Sequence, residues 1–336
     1  MFIDLHCDTL CYFSGLKEAE VRPIKRMPNE SLYENNSHID FKRMKKAGQM
    51  AQFFAVFMLP DHGEDGTGPK ADYLPEDSVY IGQLANYLKE QCAAHEDIIN
   101  FTRNCREIME NHKNGKMSAF LTIEDGRSVL GSFDNLQKLF DMGVRLITLT
   151  WNFKNCFGSP NSPDPAIMAE GLTDFGKEAI LWMNKKGMLV DVSHLSDGGF
   201  WDVLKISEKP VVASHSNCRA LSPHPRNLTD EMIKALANKG GVSGINYFSR
   251  FLHEDIEWNY STVGLIVKHI KYMRNVGGID VVALGSDMDG VDCEIEVNSP
   301  DKVVLIFDAL KKEGFSESEI DKIAWQNALR VIKDCM

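Results

Sequence analysis

No stretch of this 336-residue chain is long and apolar enough to cross a bilayer as a helix. The most apolar run, Ala51 to Leu59, is interrupted by Gln52 and falls far short of the roughly 20 residues a span requires, so it reads as a buried strand. No basic run with interleaved aromatics occurs, and 37 Lys and Arg against 48 Asp and Glu leave a net charge of −11. That balance opposes attraction to polyphosphate and anionic lipid, which makes nucleic acid and membrane surfaces poor partners. The eight cysteines are scattered without a Cys-x-x-Cys pair, as expected of reduced thiols rather than a disulfide framework. No segment of secretory type precedes the first strand, which starts at Met1 or Phe2, and the expected location is the cytoplasm. Linkers and low-complexity segments are also lacking, so residues 1–336 are expected to form one domain of a size that α/β barrels commonly reach.

What the chain does have is a repeat of apolar runs. Eight can be marked, at residues 2–7, 51–59, 117–123, 144–150, 188–193, 210–214, 241–247 and 281–286. Segments of helical period with charged faces lie between them, among them 41–48, 79–94, 133–142, 175–186, 231–239 and 262–276. Gly48, Gly143, Gly187 and Gly240 each stand between such a segment and the next run, where a helix C-terminal cap is needed. Strands alternating with helices imply a parallel sheet, and eight repeats imply closure into a (β/α)8 TIM barrel. Ser316 and Glu319, spaced as a capping box, open an extra C-terminal helix. The uneven loops 10–37, 60–77, 152–172 and 216–228 all follow strands, so they are expected to wall a pocket at the catalytic face.

The runs keep ending in residues that bind metals. His6 and Asp8 are two apart on one strand, on the same side and about 6.6 Å apart along it, which lets an imidazole and a carboxylate converge on one ion. Cys7 between them points the other way and is expected in the core. Glu124 ends the third run, where a carboxylate is costly to bury unless paired or metal-bound; capping of the next helix by Glu124 or Asp125 is the plain alternative. Two oxygens allow such a group to bridge two cations. His194 and His215 end the fifth and sixth runs and so are neighbours at the barrel mouth. Asp287 ends the eighth run beside the first, suited to be a terminal metal ligand or a proton carrier, with Asp289 as its competitor.

His6-x-Asp8, Glu124-Asp125-Gly126, Ser193-His194, Ser214-His215-Ser216, Arg226-Asn227 and Gly285-Ser286-Asp287-Met288-Asp289-Gly290 together resemble the membrane (renal) dipeptidase family of the amidohydrolase superfamily, from the first strand to the final helix. The resemblance implies a metal-dependent dipeptidase with two zinc ions, one held by His6 and Asp8, the other by His194 and His215, with Glu124 bridging. It also implies Asp287 as the acid/base and Arg226 as the group that binds the terminal carboxylate of a dipeptide substrate. A homodimer is suggested as well.

One position departs from the family. Members carry a His directly after the strand-four run, where it helps orient the substrate carbonyl; here Thr150 is followed by Trp151 and Asn152. Asn152 can donate a hydrogen bond to the same oxygen but cannot carry a proton. Trp151 and Tyr247 are counted with it as candidate substrate contacts. Two alternatives compete with a dipeptidase: another superfamily hydrolase acting on amides or lactones, and a non-catalytic ligand-binding barrel. Asp8 in place of a second His, and Glu124 in place of a modified Lys at the end of strand four, favour the dipeptidase.

Overall fold

The computed structural model describes residues 1–15, 29–58 and 76–336. The loop expected at 10–37 lies partly, and that at 60–77 almost wholly, outside these residues. Eleven strands are labelled in chain order: β1 Ile3–Cys7, β2 Ala51–Phe57, β3 Ile99–Phe101, β4 Met117–Glu124, β5 Val144–Thr148, β6 Leu189–Asp191, β7 Val212–Ala213, β8 Val242–Ile245, β9 Tyr260–Ser261, β10 Val282–Leu284 and β11 Glu294–Ile295. β1, β2, β4, β5, β6, β7, β8 and β10 follow one another around a closed parallel ring, completed by the β1–β10 and β2–β4 pairings. These are the eight apolar runs, and the architecture is a (β/α)8 barrel. Short β3 pairs with Met117 to Ala119 at the start of β4, below the point where β5 joins at Leu121. Its three residues carry no readable period.

Helices return the chain between strands, and their ends show the chemistry expected of them. Gly48, Gly143, Gly187 and Gly240 all have positive φ, between 67° and 107°. Thr229 caps the helix Asp230–Asn238 by accepting from the Met232 amide. The Ser316–Glu319 capping box is formed in full and opens the C-terminal helical segment, which runs through a π-helical turn, Lys322–Gln326, into the helix Asn327–Cys335. Among the described residues no helix is long and apolar enough to cross a membrane. All eight thiols are free, and Cys7 is fully buried.

Two apolar clusters hold the barrel. The smaller takes residues from all eight ring strands, Ile3, Leu5, Phe53, Phe120, Leu146, Leu189, Val212, Val242 and Ala283 among them, together with Val331 and Ile332 of the last helix. A cluster drawing on every strand must fill the lumen, and the C-terminal helix plugs its lower end. Phe53 and Phe120 stack at 4.5 Å within it. The larger cluster lies between strands and helices and includes Cys7, Phe54, Leu121, Ile123 and Val190. A register shift between Asp4 and Cys7 on β1 breaks the simple alternation, so Leu5 can stay in the lumen while His6 is aimed at the mouth, a common use of such irregularities beside active sites.

On the far side of the mouth the backbones approach so closely that only glycine fits. A Cβ built on Gly285, just after β10, would sit 1.7 Å from the Ser214 carbonyl oxygen, and one on Gly244 would sit 2.1 Å from the same atom. Gly285→Ala is therefore expected to destabilise the fold by about 1–3 kcal/mol through overpacking and to displace the strand end that carries His215. Urea unfolding of the metal-free protein measures the first effect; an unchanged midpoint would show that the β7–β10 approach is softer than drawn.

Candidate metal centre

The strand ends place His6, Asp8, Glu124, His194, His215 and Asp287 in one buried cluster. Glu124 closes β4 at the level of Phe57 on β2 and Thr148 on β5, and its two oxygens face different partners. Oε1 lies 3.1 Å from His194 Nε2 and 3.5 Å from His215 Nε2, while Oε2 lies 3.6 Å from His6 Nε2. His6 Nε2 is in turn 3.7 Å from Asp8 Oδ1 and 3.8 Å from Asp287 Oδ1. Donor atoms of His6, Glu124 and His215, and likewise of His6, Asp8 and Asp287, fall within 4.8 Å of one another.

Hydrogen bonds behind the ligands decide what the ring nitrogens can do. Ser214 Oγ donates to Asp191 Oδ2 at 2.5 Å, so at its 2.7 Å contact with His215 Nδ1 the ring must be the donor. His194 Nδ1 lies 3.3 Å from Asn152 Oδ1, an acceptor, and has the same role. Both rings are held neutral: burial and the Arg226 charge push His194 down to about 3, and burial with the His6 charge takes His215 well below its ordinary value. Two Nε2 lone pairs therefore face each other at 3.1 Å beside a carboxylate oxygen. A cation seated between them would relieve that arrangement.

His6 behaves differently. Burial works to lower its pKa, but the Glu124 and Asp8 charges outweigh burial and raise it well above the ordinary imidazole value. Glu124 goes the opposite way: burial works to raise it, but the His6 charge outweighs burial and takes it well below the carboxylate range. A proton on His6 thus supplies positive charge that a metal ion would otherwise bring. Neither ring nitrogen of His6 has a hydrogen-bond partner, although the side chain is fully buried. An orphaned buried imidazole among carboxylates fits a metal ligand, and the donor set of His nitrogen and carboxylate oxygen suits a divalent transition metal.

The remaining expected residues are distributed as follows. Asp287 has left-handed backbone, φ 59°, and its Oδ2 accepts from Asn246 Nδ2 at 2.9 Å. Asp289 is separated from the cluster: its carboxylate accepts from Thr9 Oγ1 and the His38 amide, tying the loop before residue 40 to the β10 turn. Asp125 caps the turn after β4 through the Arg127 amide, and burial pushes it up to about 6. Gly290 must lack a side chain, since a Cβ there would lie 1.9 Å from Asp287 Oδ1 and 2.3 Å from Asp8 Oδ2. Arg226 is no surface residue; it is 5% exposed, donates to Ser216 Oγ and the His215 carbonyl, and has no acceptor for Nε. Trp151 packs edge-on to Phe57 at 4.9 Å and lies 6.2 Å from the His194 ring. Asn152, expected to face a substrate oxygen, has its own oxygen turned to His194. Tyr247, counted as a substrate contact, is 1% exposed and packs inside the larger apolar cluster, so its place is in the core rather than on an open wall.

Two carboxylates were not anticipated. Asp191 accepts from Thr148 Oγ1, the Ser193 amide, the Ser214 amide and Ser214 Oγ. Asp4 accepts from the Ser286 amide, Ser286 Oγ and the His6 amide. Each interrupts an apolar run, Val190-Asp191-Val192 and Ile3-Asp4-Leu5, and a carboxylate there must be paired to be tolerated. That was the signal available in the sequence. Asp191→Ala strands four buried donors and is expected to cost about 3 kcal/mol of stability. Metal retention should fall about 10–100-fold, as for loss of an outer-shell partner. Denaturation of the stripped protein and competition with a chelator measure the two effects separately; full metal affinity in the variant would refute the role of Asp191 in orienting His215.

Several known proteins are similar to this chain. An uncharacterized protein in the pqqA 5' region of Klebsiella pneumoniae is 40% identical over 270 residues, which is 78% of this chain and 98% of that protein. Dipeptidase tcpJ of Claviceps purpurea is 27% identical over 88% of this chain and 69% of its own length. Among solved structures, a metallopeptidase from Rhodobacter sphaeroides, crystallised with a phosphinate mimic of the dipeptide L-Ala-D-Ala, superposes with a TM-score of 0.83 at 22% identity, covering 100% of this chain and 99% of that one. The sequence model of the membrane dipeptidases matches residues 1–335, and the chain belongs to the membrane dipeptidase family, peptidase family M19.

Proposed function

We propose that this metallopeptidase is a dinuclear zinc enzyme that hydrolyses dipeptides bearing a free C-terminal carboxylate. The observation that carries the reading is the division of the Glu124 oxygens, one facing the pair His194 and His215 and the other facing His6. His194, His215 and Glu124 Oε1 are mutually 3.1 to 3.5 Å apart, close to the roughly 3.3 Å between donors on a tetrahedral zinc with bonds of about 2.0–2.1 Å. His6 and Asp8 would hold the second ion, with Glu124 shared between the two. When bound, such a pair of cations lowers the pKa of water and polarises a carbonyl oxygen.

The chain's own residues supply the rest. Asp287, with one oxygen held by Asn246 and the other directed at His6, is placed to take a proton from water and pass it to the leaving amine. Arg226 is a buried cation whose Nε lacks an acceptor, and burial lowers it only to about 10, so it stays charged at neutral pH. Burying a cation without a direct anionic partner is costly, and a substrate carboxylate meets that need with charge-assisted bonds. Trp151 with Phe57 offers an apolar wall near His194. The mimic bound by the Rhodobacter sphaeroides enzyme makes L,D-dipeptides the first stereochemical series to try beside L,L-dipeptides.

Purified protein should contain about two equivalents of zinc, and chelation should remove metal and dipeptide hydrolysis together. Glu124→Ala is expected to lose both ions and at least about 1000-fold in kcat/KM, in the range for losing a principal electrostatic element of a site. Full zinc content in that variant would show that Glu124 is not shared. Arg226→Ala should raise KM for dipeptides about 10–100-fold, the worth of a charge-assisted hydrogen bond, with tripeptides poor substrates of the wild type. Strong tripeptide turnover would refute the anchoring role of Arg226, and two zinc ions without hydrolysis of any dipeptide would move the reading to another amide or lactone substrate.

A further inference from the structure

The three histidines of the cluster are oriented in three ways. His215 is fixed from within the barrel by Ser214 and Asp191, and His6 has no hydrogen bond on either ring nitrogen. His194 alone takes its orientation from a loop. Its backbone is left-handed, φ 67°, a conformation that costs a non-glycine residue roughly 1–2 kcal/mol. Its carbonyl accepts from the Asn161 amide at 2.7 Å, Asn161 Nδ2 at 3.1 Å and Thr150 Oγ1 at 3.2 Å. Its ring Nδ1 faces Asn152 Oδ1 at 3.3 Å. An antiparallel bridge between Pro160 and Leu195, and a hydrogen bond from the Ser196 amide to the Ser159 carbonyl, close the same segment onto the residues that follow.

We infer that the segment from Thr150 to Asn161 is a clamp that positions His194, so that metal binding at the His194–His215 position depends on this loop while binding at His6 and Asp8 does not. Asn161 and Thr150 hold the strained backbone, and Asn152 holds the ring with Nε2 directed at Glu124. Asn152 is thereby a positioning residue acting through His194. The inference rests on the dinuclear reading above and deepens it by making the two positions unequal.

Zinc titration of the metal-stripped full chain against a chromophoric chelator tests it. The wild type is expected to take two equivalents. In Asn152→Leu and Asn161→Ala one equivalent should keep wild-type affinity while the other weakens about 10–100-fold, the usual effect of losing an outer-shell partner. Asn152→Asp, which keeps an acceptor oxygen, should restore the second equivalent where the similarly sized Leu does not. Cadmium-loaded protein gives a readout independent of activity: of two 113Cd resonances, only one should shift in the Asn152 variants. Equal weakening of both equivalents, or of neither, overturns the clamp. Fewer than two equivalents in the wild type overturns the dinuclear reading and the inference with it. Should Asn161→Ala fail to fold, the Asn152 pair still decides the matter.

Discussion

A single carboxylate, Glu124, sits buried among three imidazoles, and the rest of the barrel mouth is organised around keeping it there. Its position is set by β4, the longest strand, whose last residue is paired on both sides, to Phe57 and to Thr148. An ionised carboxylate is expensive to bury, and the facing Nε2 atoms of His194 and His215 add lone-pair repulsion to that cost. The fold maintains a constellation that is unfavourable by itself and becomes favourable when a cation arrives, which couples metal affinity to the stability of the strand ends.

Those ends are held by a device used twice. Asp191 on β6 accepts the amide and hydroxyl of Ser214, the residue before His215 on the next strand; Asp4 on β1 accepts the amide and hydroxyl of Ser286, the residue before Asp287 on the neighbouring strand. In both cases a buried carboxylate captures a serine, and the serine's successor is delivered to the mouth. Positive φ values at Asp125, His194, Asp287 and Asp289 concentrate around the same rim. Backbone strain of this kind persists only where surrounding bonds over-determine it, and here the serine clasps and the loop onto His194 provide that surplus.

Much of this was legible before any coordinates. Strand period placed His6 and Asp8 on one side and Cys7 on the other, and helix-capping glycines marked where four of the strands begin. The eight runs therefore gave the barrel, and the residues ending them gave the cluster. Other features left no such trace. Asp4 and Asp191 were absorbed into apolar runs because periodicity weighs a strand by its majority. Asn152 was read against a substrate because its partner, His194, is 42 positions away and meets it through loop geometry, which no hydrophobic period encodes. Tyr247 looked like a mouth residue by its place at the end of a run, but the chain there turns it into the core.

The same strand end that brings His215 to the metal cluster also fixes Arg226. The guanidinium donates to the His215 carbonyl and to Ser216 Oγ, and Ser216 Oγ in turn contacts Ser193 Oγ, which accepts from the His215 amide. The proposed anchor and the proposed metal ligand are thus joined by four contacts within the barrel. In the proposed reaction this closes off one degree of freedom: the span between the bound carboxylate and the attacked carbonyl is set by packed backbone and cannot stretch to admit another residue. Selection of dipeptides by length is then a consequence of where Arg226 is tied, and the side-chain preference is left to the walls, where Trp151 stands in place of the family's histidine.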